Sequence, residues 1–217
     1  MTKLRTSFSM SLDGFSAGPD QTLEEPLGVG GERLHDWFTS LAIFGEMQGE
    51  EHPQGDVNES TDVVRGWTQN IGAYVMGRKM FGGGPGPWQG DWRGWWGDNP
   101  PYHTPVFVLT HHPREPLEMQ GGTTFHFVTG GIDDALERAT AAAEGKDVWI
   151  GGGASVFRQY LEAGFVDEFE VALVPIFLGD GERPFADQDP SAMRLEQTRS
   201  IEAPAVTHIR YRVSRTT

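Results

Sequence analysis

Residues 148–157, VWIGGGASVF, constrain the fold more than any other stretch of this chain. A short apolar run passes through Gly151, Gly152 and Gly153 directly into a segment with helical spacing. Such a run, with no alternation, reads as a strand buried on both faces. A strand that turns at once into a helix is part of a crossover unit, and such units build parallel or mixed sheets covered by helices. The pattern recurs. Residues 73–76 form a second buried strand, followed by Gly77, Arg78 and Lys79. Residues 106–110 (VFVLT) form a third, ended by His111, His112 and Pro113, and residues 125–128 a fourth. Apolar side chains three and four apart predict helices at 30–45, 61–71, 132–143 and 154–163, with Ser60 or Thr61 capping the second. At the two ends of the chain the period changes to two. Residues 4–12 place Phe8, Met10 and Leu12 on one face. Residues 168–175 and 206–213 also alternate and read as antiparallel strands at a sheet edge. The expected fold is α/β, with a mixed, mostly parallel sheet and a C-terminal antiparallel hairpin, in one domain over residues 1–217.

Two stretches interrupt this order. Residues 46–60 are acidic, carry Pro and Gly, and read as an exposed insertion. Residues 82–101 hold seven Gly, four Pro and four Trp, the composition of a long structured loop. Such loops often bind ligands or act as lids, and their Trp rings can equally cap a core edge.

The chain carries 17 Lys and Arg against 31 Asp and Glu, a net charge of −14. That balance argues against binding along a nucleic-acid backbone, which needs clustered cations, but leaves room for one local basic pocket. There is no Cys, which excludes disulfides, thiolate metal sites and a Cys nucleophile. His103, His111, His112 and His126 lack metal-ligand spacing, and GGGAS lacks the G-x-S-x-G elbow of serine hydrolases. No run approaches the ~18 apolar residues of a membrane helix. Residues 1–10 lack the apolar stretch of a signal peptide. The expectation is a cytoplasmic protein acting on a small molecule, with no metal, membrane or nucleic-acid partner.

Chemistry concentrates at three strand ends. At Gly151, Gly152, Gly153, Ala154 and Ser155, missing Cβ atoms let a ligand approach the backbone, and a helix start offers N–H donors to an anion. A tight strand–helix turn with no ligand is the alternative. At Gly77, Arg78 and Lys79, two cations stand where a helix is expected to begin, suited to a phosphomonoester or to a solvated helix end. At Thr110, His111, His112 and Arg114, polar groups follow another strand. Ligands of open α/β sheets lie at such carboxyl ends.

In combination and order, SLDG at 11–14, YVMGRKMF at 74–81, VFVLTHHP at 106–113, the run at 148–185 from VWIGGGASVF to GERPF, and VTHIRYRV at 206–213 resemble the dihydrofolate reductase superfamily. The likeness is strongest to the bacterial branch containing the reductase domain of the riboflavin-biosynthesis deaminase–reductase. It spans nearly the whole chain except the acidic insertion. It implies a dihydrofolate reductase-like three-layer sandwich, NADPH as hydride donor and a homodimer. It implies that Gly152, Gly153, Ala154 and Ser155 face the pyrophosphate. Gly77, Arg78 and Lys79 then lie near the cofactor phosphates, and Thr110, His111 and His112 flank the adenosine and its 2′-phosphate. Arg78 is the expected source of NADPH preference.

On the substrate side, the Trp–Pro–acid pattern of dihydrofolate reductases is missing. Asp36, on the corresponding helix, is a candidate catalytic carboxylate or an exposed one. Asp13 faces the substrate pocket in the riboflavin-type relatives. It is a second candidate, to orient an amine or relay a proton, or else the acceptor of an Asx turn. Trp92 and Trp95 are expected to stack on substrate, with residues 88–96 closing over it. The implied function is an NADPH-dependent reductase of a pterin or ribosylamino-pyrimidine. The alternative is an NADPH-binding protein without dedicated reductase activity.

Overall fold

The structure is a computed structural model that describes residues 2–189 and 191–216. In chain order its elements are β1 (Leu4–Ser11), α1 (Asp36–Thr39), α2 (Ala42–Met47), α3 (Glu59–Thr68), β2 (Ile71–Gly77), α4 (Arg78–Phe81), β3 (Pro105–Leu109), β4 (Leu117–Glu118), β5 (Thr124–Val128), α5 (Gly131–Ala142), β6 (Asp147–Ile150), α6 (Ala154–Glu162), β7 (Glu168–Val174), β8 (Met193–Ala203) and β9 (Val206–Arg215). Among the described residues the strands form a single sheet, ordered β4-β5-β3-β2-β6-β1-β7-β9-β8. The pairs β1–β6, β6–β2, β2–β3 and β3–β5 are parallel, whereas β4–β5, β7–β9 and β9–β8 are antiparallel. This is the mixed, mostly parallel α/β sheet with an antiparallel C-terminal part that the sequence predicts.

The chain packs as two compact units. The first comprises Asn70–Val166 with the residues up to Thr6. Every residue of β2 is buried, as its unbroken apolar run requires, and α5 and α6 pack on it. Its core joins Tyr74, Met76, Phe81, Val106, Val108, Phe125 and Phe127, with Trp88 and Trp92 packed against it.

The second unit comprises Ser7–Gln69 and the residues from Asp167 onward. Its core joins Leu34, Trp37, Leu41, Ile43, Val64, Ala172 and Val174. Several expectations change here. The helix over 30–45 is broken into a 3-10 turn at Gly31–Leu34, α1 and α2. The break has a cause. Leu41 is extended (φ −80°, ψ 141°) and bridges Asp56, with Ala42 N–H donating to the Asp56 carbonyl and Asp56 N–H to that of Ser40. The acidic insertion thus docks through Asp56. Asn58, not Ser60 or Thr61, caps α3. Its side chain accepts from Ser60 N–H, and the Thr61 hydroxyl accepts from Asn58 N–H. Ser60 is buried and hydrogen-bonds His208.

Leu12, expected inside, is 52% exposed, while Ser9 and Ser11 are buried. Ser9 accepts from the Trp37 indole and Ser11 from Phe15 N–H, so polar satisfaction rather than hydropathy sets the face of β1 in this unit. The C-terminal antiparallel hairpin is present, and it uses a strand that the periodicity did not show. β9 does pair with β7, but β8, a polar edge strand, is its hairpin partner, joined through Pro204 and Ala205.

Candidate active site

In the first unit the carboxyl ends of β3, β2 and β6 stand side by side, because Gly77 pairs with Leu109 and Val75 with Ile150. The register brings Gly77–Arg78, Thr110–His112 and Gly151–Gly153 to one edge. Two hydrogen bonds lock the glycine turn to β2. Gly151 N–H donates to the Val75 carbonyl at 2.8 Å, and Gly77 N–H to that of Gly152 at 2.8 Å. A Cβ on Gly77 would stand 2.9 Å from Val156 Cγ2, so a larger residue there would force the Val156 side chain to shift. Gly152 has φ +115°, and the Gly152–Gly153 peptide is cis. Gly153 is the N-cap of α6, a nine-residue helix, and no side chain caps that end. Gly153 and Ser155 are exposed, and a Cβ on Gly153 would meet nothing within 4 Å. The turn therefore presents open backbone at a helix N-terminus, an arrangement suited to an anion.

Arg78 begins α4, a single turn of four residues. Its side chain folds over the loop that follows. Nε donates to the Gly82 carbonyl (3.2 Å), Nη2 to that of Gly83 (3.3 Å) and Nη1 to Thr110 Oγ1 (3.4 Å). These bonds use three of the five guanidinium N–H groups, leaving two for a ligand. Its carbon lies 3.2 Å from the Trp88 ring centroid. Burial, and beside it the like charge of Arg114, push the guanidinium below the ordinary arginine range. Lys79 is exposed. Thr110 is buried and accepts from His112 N–H at 3.1 Å, His112 is half-buried, and His111 is exposed.

Trp92 and Trp95 meet edge to face at 4.8 Å, and the Trp92 indole donates to the Phe81 carbonyl. Both rings lie on Gly82, where a Cβ would stand 2.8 Å from each. The structure thus places the two expected stacking rings against their own loop.

Asp13 and Asp36 belong to the second unit. Asp36 is exposed at the first position of α1. The Asp13 carboxylate accepts from the Ser11 hydroxyl, from Leu178 N–H at 3.2 Å and from Gly179 N–H at 2.7 Å. The Ser11 hydroxyl, with these backbone donors, outweighs desolvation and lowers its pKa to about 2. Near neutrality it is ionised and has no proton to give. Arg183 donates to the Asp13 carbonyl at 3.0 Å and covers the Phe15 ring at 3.9 Å. Asp13 therefore ties the SLDG turn to the loop after β7, and its own backbone N–H adds to the donors around the carboxylate.

Sequence reasoning placed Arg114 at the end of the third strand and Trp88 in the loop expected to close over substrate, but missed their contact. The Trp88 indole donates to the His112 carbonyl at 2.8 Å, and Arg114 lies 4.9 Å from the same ring. The available signal was a cation, Arg114, two residues beyond the His pair, and a Trp within reach of Arg78.

The description RibD C-terminal domain matches residues 2–208 of this chain. A curated relative, the uncharacterized protein YyaP of Bacillus subtilis (strain 168), is 35% identical over 77 residues, 34% of this chain and 41% of its own length. The chain thus spans less than half of that relative. A protein of Shewanella sp. PV-4 provisionally assigned to riboflavin biosynthesis shares the fold at a TM-score of 0.61 and 21% identity, covering 99% of this chain and 100% of its own. Dihydrofolate reductase from Enterococcus faecalis, complexed with NADP(H), does so at 0.54 and 16%, covering 99% and 97%.

Proposed function

Since the chain belongs to the RibD C-terminal domain family, we propose that it is an oxidoreductase transferring a hydride from NADPH to a small heterocycle of the pterin or ribosylamino-pyrimidine type. One observation carries the reading: three polar junctions meet at the carboxyl ends of the adjacent parallel strands β3, β2 and β6. The residues fit an extended, multiply anionic nucleotide. The Gly152–Ser155 backbone at the start of α6 suits a pyrophosphate. Arg78, with two N–H groups left, suits a phosphomonoester beside Thr110 and His112. When bound, NADPH supplies the hydride. The chain's own residues bind and orient it by charge and backbone contacts, and orientation contributes much of the rate in such reactions. The structural relative from Enterococcus faecalis, complexed with NADP(H), supports the choice of nucleotide.

A specific observation favours a second reading, NADPH binding without dedicated reductase activity. Asp13 is committed to the loop after β7 as an ionised acceptor, and Asp36 stands exposed, so neither is arranged as a proton donor. Titrating the protein with NADPH and NADH, using the fluorescence of its seven Trp, tests the cofactor half. Saturable binding with NADPH preferred is expected. Loss of nicotinamide absorbance with a dihydropterin or an aminopyrimidine ribosylamine then separates the two readings. Turnover supports the reductase, and tight binding without turnover on either class supports the binder.

A further inference from the structure

Two methionines lie against the glycine turn after β6. A Cβ on Gly151 would stand 3.3 Å from Met76 Cε, and one on Gly152 would stand 3.4 Å from Met80 Sδ and 3.5 Å from its Cγ. The two differ in access. Met76, on β2, is 1% exposed, whereas Met80, on α4, is 37% exposed. The fold accounts for the position of Met80. Gly77 N–H donates to the Gly152 carbonyl at 2.8 Å, which seats the start of α4 on the glycine turn, and Met80 belongs to that single helical turn.

The chain has seven Met and no Cys, so no thiolate competes with its thioethers for an oxidant. Among the described methionines Met80 alone is exposed. Met10, Met47 and Met193 are half-buried, and Met76 and Met119 are buried. In the reaction with a peroxide, a sulfur lone pair attacks one peroxide oxygen. The S–O bond forms as the O–O bond breaks, and with hydrogen peroxide the second oxygen leaves as water with both protons. The sulfur loses two electrons and the peroxide gains them. A flexible apolar side chain becomes a polar one that carries an acceptor oxygen.

The location gives this change an effect. Gly152 directly precedes Gly153, the N-cap of α6, and no side chain caps that end. The first N–H groups of a helix have no partner within it and attract an acceptor. A thioether is a weak acceptor and leaves those donors to a ligand. A sulfoxide on the same side chain brings a strong acceptor to the turn. Being tethered, it competes at an effective concentration set by the fold and not by the solution.

Resting on the NADPH reading, we propose that Met80 is a redox-modification site that takes one oxygen atom from a peroxide, and that its sulfoxide closes the Gly152–Ser155 turn to the anionic part of the dinucleotide. The modification is reversible, because enzymes reduce methionine sulfoxide back to the thioether.

The test treats wild type and Met80→Leu with dilute hydrogen peroxide and then removes it. Peptide mass spectrometry locates the added oxygen, and calorimetry measures NADPH binding before and after treatment. In wild type the peptide carrying Met80 is expected to gain one oxygen ahead of the half-buried methionines. The affinity for NADPH is expected to fall about tenfold, the scale of one lost charge-assisted hydrogen bond. Incubation with the two methionine sulfoxide reductases, one for each epimer, should restore both mass and affinity. In Met80→Leu the same treatment should leave the affinity where it stood beforehand. If Met80→Leu does not fold, wild type decides alone: lost affinity must track oxygen on Met80 and return when it is removed. Oxidation of Met80 with unchanged affinity, an equal loss in Met80→Leu, or a Met80 that stays reduced while other methionines are oxidised overturns this proposal alone. Untreated wild type that does not bind NADPH topples the NADPH reading, and this proposal with it.

Discussion

At the scale of single residues, Asp13 shows how a chemically suggestive group is claimed by the fold. Its carboxylate lies at about 2 instead of 3.8, chiefly through the Ser11 hydroxyl. A depressed folded-state value means the unfolded chain takes up the proton first. The stability that Asp13 contributes is therefore complete above about 4 and lost as the pH falls toward about 2. Asp13→Asn should lower the urea midpoint at pH 6, and the gap to wild type should close between pH 4 and 2. A gap that persists unchanged at pH 2 would mean the clamp does not depend on the charge. The SLDG turn was legible in the sequence, but the partners of its Asp were not. Leu178 and Gly179 lie 165 and 166 residues further on, and no local pattern encodes a backbone N–H that arrives from another loop. Trp92 and Trp95 teach a similar lesson. Their count and loop were readable, but the packing of both rings on Gly82 was not.

At the scale of elements, the antiparallel strands are cross-linked by charge. Glu170 on β7 stands opposite Arg210 on β9, which stands opposite Arg199 on β8, so one row crosses three strands. The register shift between Gln197 and Arg199 accompanies this alignment. Burial alone would raise the Glu170 carboxyl, but the Trp67 indole (3.1 Å), Arg199 (2.6 Å) and Arg210 (3.1 Å) outweigh it and hold it below the usual range. Glu170→Ala should cost about 2–3 kcal/mol in urea unfolding, somewhat below the full cost of breaking a buried pair because both guanidiniums reach solvent. Glu170→Gln, which keeps an acceptor for Trp67, should cost less. An unchanged midpoint in both would show that the row adds nothing to β8. The row also explains why β8 escaped a hydropathy reading. Most of its side chains are exposed, and it is held by backbone pairing and this charge row rather than by an apolar face.

At the scale of the whole molecule, acid should be the weak side. Burial lowers the pKa of His35, His126 and His208, each kept neutral in the fold. For His208, the charge of Glu170 opposes burial and that of Arg199 adds to it, while the Ser60 hydroxyl holds Nε2 at 2.9 Å. A histidine depressed below 6.5 is protonated first in the unfolded chain, so its contribution is complete above about 6.5 and falls as the pH drops below that value. The carboxylates Asp13, Glu170 and Asp189 act in the same direction at lower pH. The urea midpoint should be flat between pH 7 and 8 and decline from pH 6.5 to 5, with a shallower decline in His208→Asn. A midpoint that rises toward pH 5 would contradict the burial of these rings.

The strand–helix alternation of the central part, its parallel pairing and the three strand-end junctions were determined by the sequence itself. Unbroken apolar runs, glycine turns and helical spacing are local signals, and local physics is enough to place them. Tertiary structure alone decided where the helix at 30–45 breaks, because the interrupting contact comes from Asp56. It decided that Asn58 caps α3 and frees Ser60 for His208. It also decided that Arg78 and Arg114 both lie against the Trp88 ring. These outcomes depend on which distant polar group must be satisfied once water has left, and hydropathy carries no record of that.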